Sequence, residues 1–164
     1  MQSFDWTSFT QRIPVRVNME ILYNAWTKAD EIEKWFVRHA KNFGNYNIMI
    51  PPEMSIKKSY KYEWNWYAYN DVETGTFTEA NGKDHIQFTF AGDCRVDIKL
   101  TEAHDHIIVE LSQTNIPTDE KSKKDIRLGC ASGWAFFLVN LKSVYENGHD
   151  LRNKNNELKG MLNN

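Results

Sequence analysis

Cysteine is scarce in this chain of 164 residues: Cys94 and Cys130 stand far apart. Two thiols at that spacing make no metal or redox motif and no disulfide framework, so a reduced, cytoplasmic setting is the expectation. Long hydrophobic runs are missing. No stretch approaches the roughly 20 apolar residues of a membrane span, and residues 1–11 are polar and aromatic, without the apolar region of a secretory signal. An excess of charge of one sign is missing as well. The net charge is −2 and the pI about 6.2, so no basic surface is left for nucleic acid or an anionic membrane. Neither is expected as a partner.

The usual signatures of chemistry are absent too. There is no glycine-rich phosphate loop and no dinucleotide fingerprint. Ser132-Gly133 lacks the preceding glycine of a nucleophile elbow and falls inside a helical pattern. His104 and His106 flank Asp105, but this is where a hairpin turn is expected and polar residues belong, so no metal site is assigned. Glu63, Glu79, Asp97 and Glu110 alternate with apolar residues and read as the solvated face of a sheet. No cofactor and no catalytic residue is assigned.

What the chain has is aromatic side chains: six Trp, seven Tyr and nine Phe. It also has one dominant helical pattern. From Pro117 to Gly148 the spacing predicts a single long helix. Thr118 is placed to cap it, Asp119 and Glu120 put negative charge on the first turn, and Gly148 stands at the stop. Cys130, Trp134, Phe137, Leu138, Leu141, Val144 and Tyr145 share one face. At 1.5 Å per residue such a helix runs roughly 40 Å, and strand-like segments must cover its stripe. Gly129 and Gly133, four apart on it, mean either a close backbone contact or open space beneath the helix. Phe136 and Val139 lie off the stripe.

The rest of the chain supplies the cover. Phe9 to Val17 alternates as a strand, with Pro14 marking an edge or a bulge. Asn18 caps a short helix that buries Ile21, Leu22, Ala25 and Trp26, and a second short helix carries Ile32, Trp35 and Phe36. Asn42 to Ile50 reads as a strand through Tyr46, Ile48 and Ile50. It ends at Pro51-Pro52. Tyr60 to Asn70 follows, with Tyr62, Trp64 and Trp66 on one face. Glu73 to Glu79 leads to a tight turn at Asn81-Gly82. Ile86, Phe88 and Phe90, then Val96, Ile98 and Leu100, then Ile107, Val109 and Leu111 complete an antiparallel meander. A polar, Asn-rich tail closes the chain, in which Leu158, Met161 and Leu162 either dock or fray. A curved sheet must bury one face, and the long helix is the only large apolar element left to lie on it.

Tyr23-Asn24-Ala25-Trp26-Thr27, then Ile32 and Lys34-Trp35-Phe36, resemble the first-helix signature of the START-like (SRPBCC, Bet v-type) superfamily. Within it the resemblance is to the C-terminal domain of the heat-shock-protein-ninety ATPase activator. Gly133-Trp134, Phe137-Leu138, Leu141-Lys142-Ser143 and Glu146-Asn147-Gly148 resemble that family's closing helix. Tyr62 to Trp66 and Ile86 to Phe90 fit its central strands. The resemblance implies an α+β helix-grip fold: an antiparallel sheet of six to seven strands curved around a long C-terminal helix, two short helices after the first strand, and a hydrophobic cavity between sheet and helix. A single domain over residues 1–164 is expected, with its core at about 9–152 and a polar tail at 153–164.

On function the leading expectation is non-catalytic binding of a small hydrophobic molecule of lipid, flavonoid or polyketide type. Trp35, Phe36, Trp64, Trp66, Phe88, Phe90, Gly133, Trp134 and Phe137 are the cavity candidates. The resemblance also implies an alternative, an interaction module that contacts a heat-shock chaperone in a stress response. Phe136, Val139 and the tail apolar residues are the candidates there, and a monomer or weak homodimer is expected. A second alternative is an aromatase/cyclase-type enzyme, which requires His85 or Glu63 to point inward.

Overall fold

The computed structural model describes residues 4–164. Strand β1 (Phe9–Val15) is followed by helices α1 (Met19–Thr27) and α2 (Ala29–Ile32). Strands β2 (His39–Phe43), β3 (Lys61–Asn65), β4 (Val72–Ala80), β5 (His85–Phe90), β6 (Cys94–Ala103) and β7 (His106–Thr114) come next. The chain ends in a helical run of three parts: α3 (Glu120–Ser122), a π-helical segment (Lys123–Leu128) and α4 (Gly129–Asn147). The seven strands form one antiparallel sheet in the order β1-β7-β6-β5-β4-β3-β2. It curves around α4, which makes this an α+β helix-grip fold.

The period-two alternation determines which face is buried. Ile86 and Phe88 of β5, Val96, Ile98 and Leu100 of β6, and Val109 and Leu111 of β7 all point inward. Ile98 stands opposite both Ile86 and Leu111, so the apolar rows meet across three strands. Pro14 lies on β1, an edge strand, where a missing N–H costs no ladder bond. The helix stripe meets this face through Trp134, Phe137, Leu138 and Leu141, all buried. Polar contacts set its position. Gln11 Nε2 donates to the Ala131 carbonyl at 2.7 Å, Lys142 Nζ to the Pro14 carbonyl at 2.7 Å, and Asn140 Nδ2 to the Trp35 carbonyl at 2.7 Å.

Two expected elements differ. The predicted strand Asn42–Ile50 is instead β2, which begins at His39, followed by a 3-10 turn at Asn45–Asn47 with Tyr46 at φ 56° and Asn47 at φ 59°. The chain then folds back. Ile50 N donates to the Asn42 carbonyl at 2.9 Å, and Gly44 N to the Ile48 carbonyl at 2.8 Å. Tyr46 and Ile48 are therefore exposed rather than inward. Asparagine tolerates left-handed backbone, and two of them flank Tyr46. The second difference is the break in the long helix. Asp119, not Thr118, caps its start, accepting from Ser122 N at 3.0 Å.

Gly75 is required by a close approach. It faces Tyr62 in the ladder, and the Tyr62 ring crosses over it so that the hydroxyl donates to the Thr89 carbonyl. A Cβ at position 75 would lie 2.5 Å from both that carbonyl oxygen and the Tyr62 hydroxyl. Gly75→Ala is expected to destabilise the protein by about 1–3 kcal/mol through overpacking. Urea denaturation measures this directly, and a midpoint equal to that of the wild type would contradict it.

Candidate functional site

Aromatic side chains from four places converge where α4 begins. Phe36 comes from the turn after α2, Trp66 from just beyond β3, Phe90 from the end of β5, and Trp134 and Phe137 from α4. With Asp125, Gly129, Cys130 and Gly133 they line a pocket of about 200 Å³ whose wall is almost wholly apolar. Phe36 stacks on Trp134 with ring centres 4.9 Å apart, and meets Phe137 edge-on at 4.8 Å and Trp66 at 5.6 Å. Phe90 closes on Trp134 at 5.2 Å. Trp134 is held in place because its Nε1–H donates to Gln113 Oε1 at 3.0 Å on the buried sheet face. Space survives here because Gly129 and Gly133 carry no side chain. A Cβ built on Gly133 meets nothing within 4 Å, and one on Gly129 meets only the Lys124 carbonyl at 3.6 Å. Of the two possibilities for the glycine pair, open space is the one found at Gly133.

Six of the nine candidates line this pocket. Trp35, Trp64 and Phe88 do not: they lie in the packed interior, each 1% exposed or less. Trp35 Nε1 donates to the Ala25 carbonyl at 2.9 Å, and Trp64 stacks on Tyr62 at 3.7 Å. Among the strand aromatics, position along the strand separates the two groups, while Trp35 lies in the turn after α2 and packs against Trp26. Mid-strand aromatics are covered by neighbours on both sides, whereas Trp66 and Phe90 sit where strands run out.

Two titratable groups line the pocket, Cys130 and Asp125, and a third, Glu73, bonds to the residue after Phe90. Burial pushes the Cys130 thiol up to about 11, so it is protonated at neutral pH and a poor nucleophile. Glu73 faces inward opposite Trp64, and its carboxylate accepts from Ala91 N at 2.8 Å, next to Phe90. Burial raises its pKa despite that bond. Asp125 is exposed at the mouth and, among the described residues, its side chain pairs with no cation. Sequence reading assigned none of these to the site. Gly129 and Cys130 were within reach, one turn above Gly133 and Trp134. Asp125 is brought there by the π-helical segment, and the β3–β4 register turns Glu73 inward.

The remaining candidate groups lie elsewhere. His85 is on the outer face, with Nε2 2.7 Å from Asp97 Oδ1, and Glu63 alternates outward between buried Tyr62 and Trp64. The cyclase-type alternative therefore loses the two inward groups on which it rested. His106 Nδ1 pairs with Asp105 at 2.7 Å in the β6–β7 turn. Among the described residues no three His, Cys, Asp or Glu side chains come together as a metal site, and no helix is long and apolar enough to cross a membrane. A larger open groove, about 1030 Å³, runs between α1 and the Asn81–Asp84 turn. Glu20, Lys57, Lys83, Asp84 and Glu102 line it with mixed charge, so its wall mixes polar and apolar surface, unlike that of the smaller pocket.

The family model described as activator of Hsp90 ATPase homolog 1-like protein matches residues 16–146. A comparison with curated proteins gave no match. Among solved structures the chain is similar to the Aha1 dimer from Colwellia psychrerythraea, at 17% identity and TM-score 0.67, covering 86% of this chain and 97% of that one. PFC0360w, an HSP90 activator from Plasmodium falciparum, is similar at 19% identity and TM-score 0.62, covering 85% and 96%. DynU16, a protein in the dynemicin biosynthetic locus, is similar at 15% identity and TM-score 0.69, covering 90% of this chain and 50% of that one. At these identities the likeness is one of fold.

Proposed function

The chain belongs to the family of activator of Hsp90 ATPase homolog 1-like proteins, and within it we propose that this member binds a small apolar molecule in the aromatic pocket at the start of α4. The observation that carries the reading is the open space over Gly133, walled by Phe36, Trp66, Phe90, Trp134 and Phe137. Size restricts the ligand. An apolar cavity of about 150 Å³ accepts benzene, and drug-sized ligands take roughly 300–1,000 Å³. A pocket of about 200 Å³ suits one or two rings, or the end of a longer molecule, better than a whole polyketide. Burial supplies the affinity, at about 25 cal/mol per Å² of apolar surface removed from water. Indole and naphthalene are expected to bind saturably, as read by ligand-observed saturation-transfer NMR and by quenching of tryptophan emission. No transfer to either probe at millimolar concentration would overturn the reading.

A second reading, contact with a heat-shock chaperone, is favoured by the family and by a fixed apolar surface near the C-terminus. Leu158, Met161 and Leu162 are exposed on a tail that asparagines hold in shape: Asn153 N donates to the Asn163 carbonyl at 2.6 Å, and Asn163 Nδ2 to the Leu151 carbonyl at 2.7 Å. Exposed apolar residues on an ordered loop suit a protein partner. An ATPase assay of an Hsp90-type chaperone with added protein tests it. A rate unchanged at saturating protein would count against it.

A further inference from the structure

We infer that the aromatic pocket takes an organic cation, a methylated ammonium group, in preference to a neutral apolar group of the same shape. This rests on the reading of the pocket as a ligand site and adds the ligand's charge. Five aromatic rings surround the space. Each ring face carries negative quadrupole potential, and proteins hold quaternary ammonium groups among aromatic rings; Phe36 and Trp134 stack on one another, so one face of each is already covered. A trimethylammonium head is comparable in size to the benzene that fills a cavity of about 150 Å³.

The charges nearby point the same way. Asp125 stands at the mouth with no ion-pair partner among the described residues. Glu73 is half-buried, held by the single backbone N–H of Ala91 and, among the described residues, unmatched by any cation. Burial disfavours its ionised form, and a cation in the pocket would relieve that penalty. The basic residues of the same stretch are largely engaged elsewhere. Lys123 pairs with Glu120 and lies over Trp6, and Arg127 lies over Phe4 and Phe9 while donating to the Asp5 carbonyl. Lys121 and Lys124 are exposed and oppose the cation only through screened solvent.

Choline and 3,3-dimethyl-1-butanol share one shape and differ in charge. Titrated separately against the full chain, with tryptophan emission and NMR shifts as readouts, choline is expected to bind about tenfold more tightly. Asp125→Asn should reduce that ratio several-fold, and Gly133→Leu should remove binding of both. Equal or tighter binding of the alcohol overturns the cation inference and leaves the apolar-ligand reading standing. Binding of indole without either choline or the alcohol does the same. Failure of all three probes overturns both. Choline binding that survives Gly133→Leu places the cation elsewhere and also overturns the inference.

Discussion

Arg152→Met is expected to lower the melting temperature at neutral pH by on the order of 10 °C, the largest stability effect of any single substitution considered. The Arg152 side chain is 3% exposed, and every arm of its guanidinium is occupied. Nη1 donates to the Val37 carbonyl at 2.8 Å and Nη2 to the Glu33 carbonyl at 2.8 Å, while Nε and Nη2 grip the two oxygens of Asp150 at 2.9 and 2.8 Å. The guanidinium lies over the Tyr67 ring, its carbon 5.4 Å from the ring centre. One residue thus ties the turn after α2 to the segment leaving α4. That turn carries Phe36, and Asn140 of α4 also bonds to Asp150, at 3.1 Å. Removing one partner of a buried pair costs about 3–5 kcal/mol, because the other is left desolvated and unpaired. In a domain of this size each kcal/mol moves the midpoint by about 2–4 °C. Lys154, 2.8 Å from Asp150, limits the loss but cannot reach the two carbonyls. The acid limb gives a second measurement. Burial alone would raise the Asp150 carboxyl, yet its bonds from Arg152 and Lys154 outweigh burial and hold it well below the usual carboxylate range. A depressed folded-state pKa contributes stability that is complete above the unfolded value of about 3.9 and fades as pH falls below it. Wild-type melts should therefore drop steeply below pH 4, and the Arg152→Met melts less so. A variant melting within 2–3 °C of wild type would show that the clamp is not formed in solution.

Arg152 illustrates where sequence reading stops. It stands at the edge of an Asn-rich polar tail, and nothing in its neighbours marks it as buried. The sheet was legible because Ile86, Phe88 and Phe90, and the two rows after them, alternate without interruption between clear turns. The α4 stripe was legible for the same reason at period 3.6. The false strand at Tyr46, Ile48 and Ile50 shows the weakness of that signal: three apolar residues two apart also occur by chance, and Asn45-Tyr46-Asn47 was the better guide to the turn. The π-helical segment has no compositional mark, since only the hydrogen-bond register changes, yet it carries Asp125 to the pocket mouth. Glu73 was unreadable for a related reason. Whether it faces the core depends on its pairing with Trp64, which is a property of two strands together. The aromatic inventory pointed to the region where the pocket lies. Dividing its strand members into core (Trp64, Phe88) and pocket wall (Trp66, Phe90) required knowing where each strand ends.

Gly133→Leu is expected to abolish binding of indole, naphthalene and choline while leaving the protein as stable as wild type or more so. The two halves of that expectation have separate causes. Glycine inside a helix is destabilising by up to about 1 kcal/mol relative to alanine, through backbone entropy and lost propensity. Because an added Cβ at 133 meets nothing within 4 Å, a larger side chain recovers that loss without a clash. The leucine then extends into the space bounded by Phe36, Trp66 and Phe90 and buries its own methyl groups there, at about 25 cal/mol per Å². Ligand binding is lost because the ligand's volume is occupied, not because the fold is disturbed. Gly75 provides the internal contrast: a Cβ there meets backbone at 2.5 Å, and even alanine should weaken the protein. Melts and probe titrations on Gly133→Ala, Gly133→Leu and Gly75→Ala therefore form one experiment. Alanine at 133 should raise the midpoint slightly and retain binding, leucine should retain or raise it and lose binding, and alanine at 75 should lower it and retain binding at temperatures where the chain is folded. A midpoint lowered by several degrees in Gly133→Leu, with no gain in Gly133→Ala, would mean that helix and sheet close over this position in solution, and the pocket would lose the observation on which its proposed function rests.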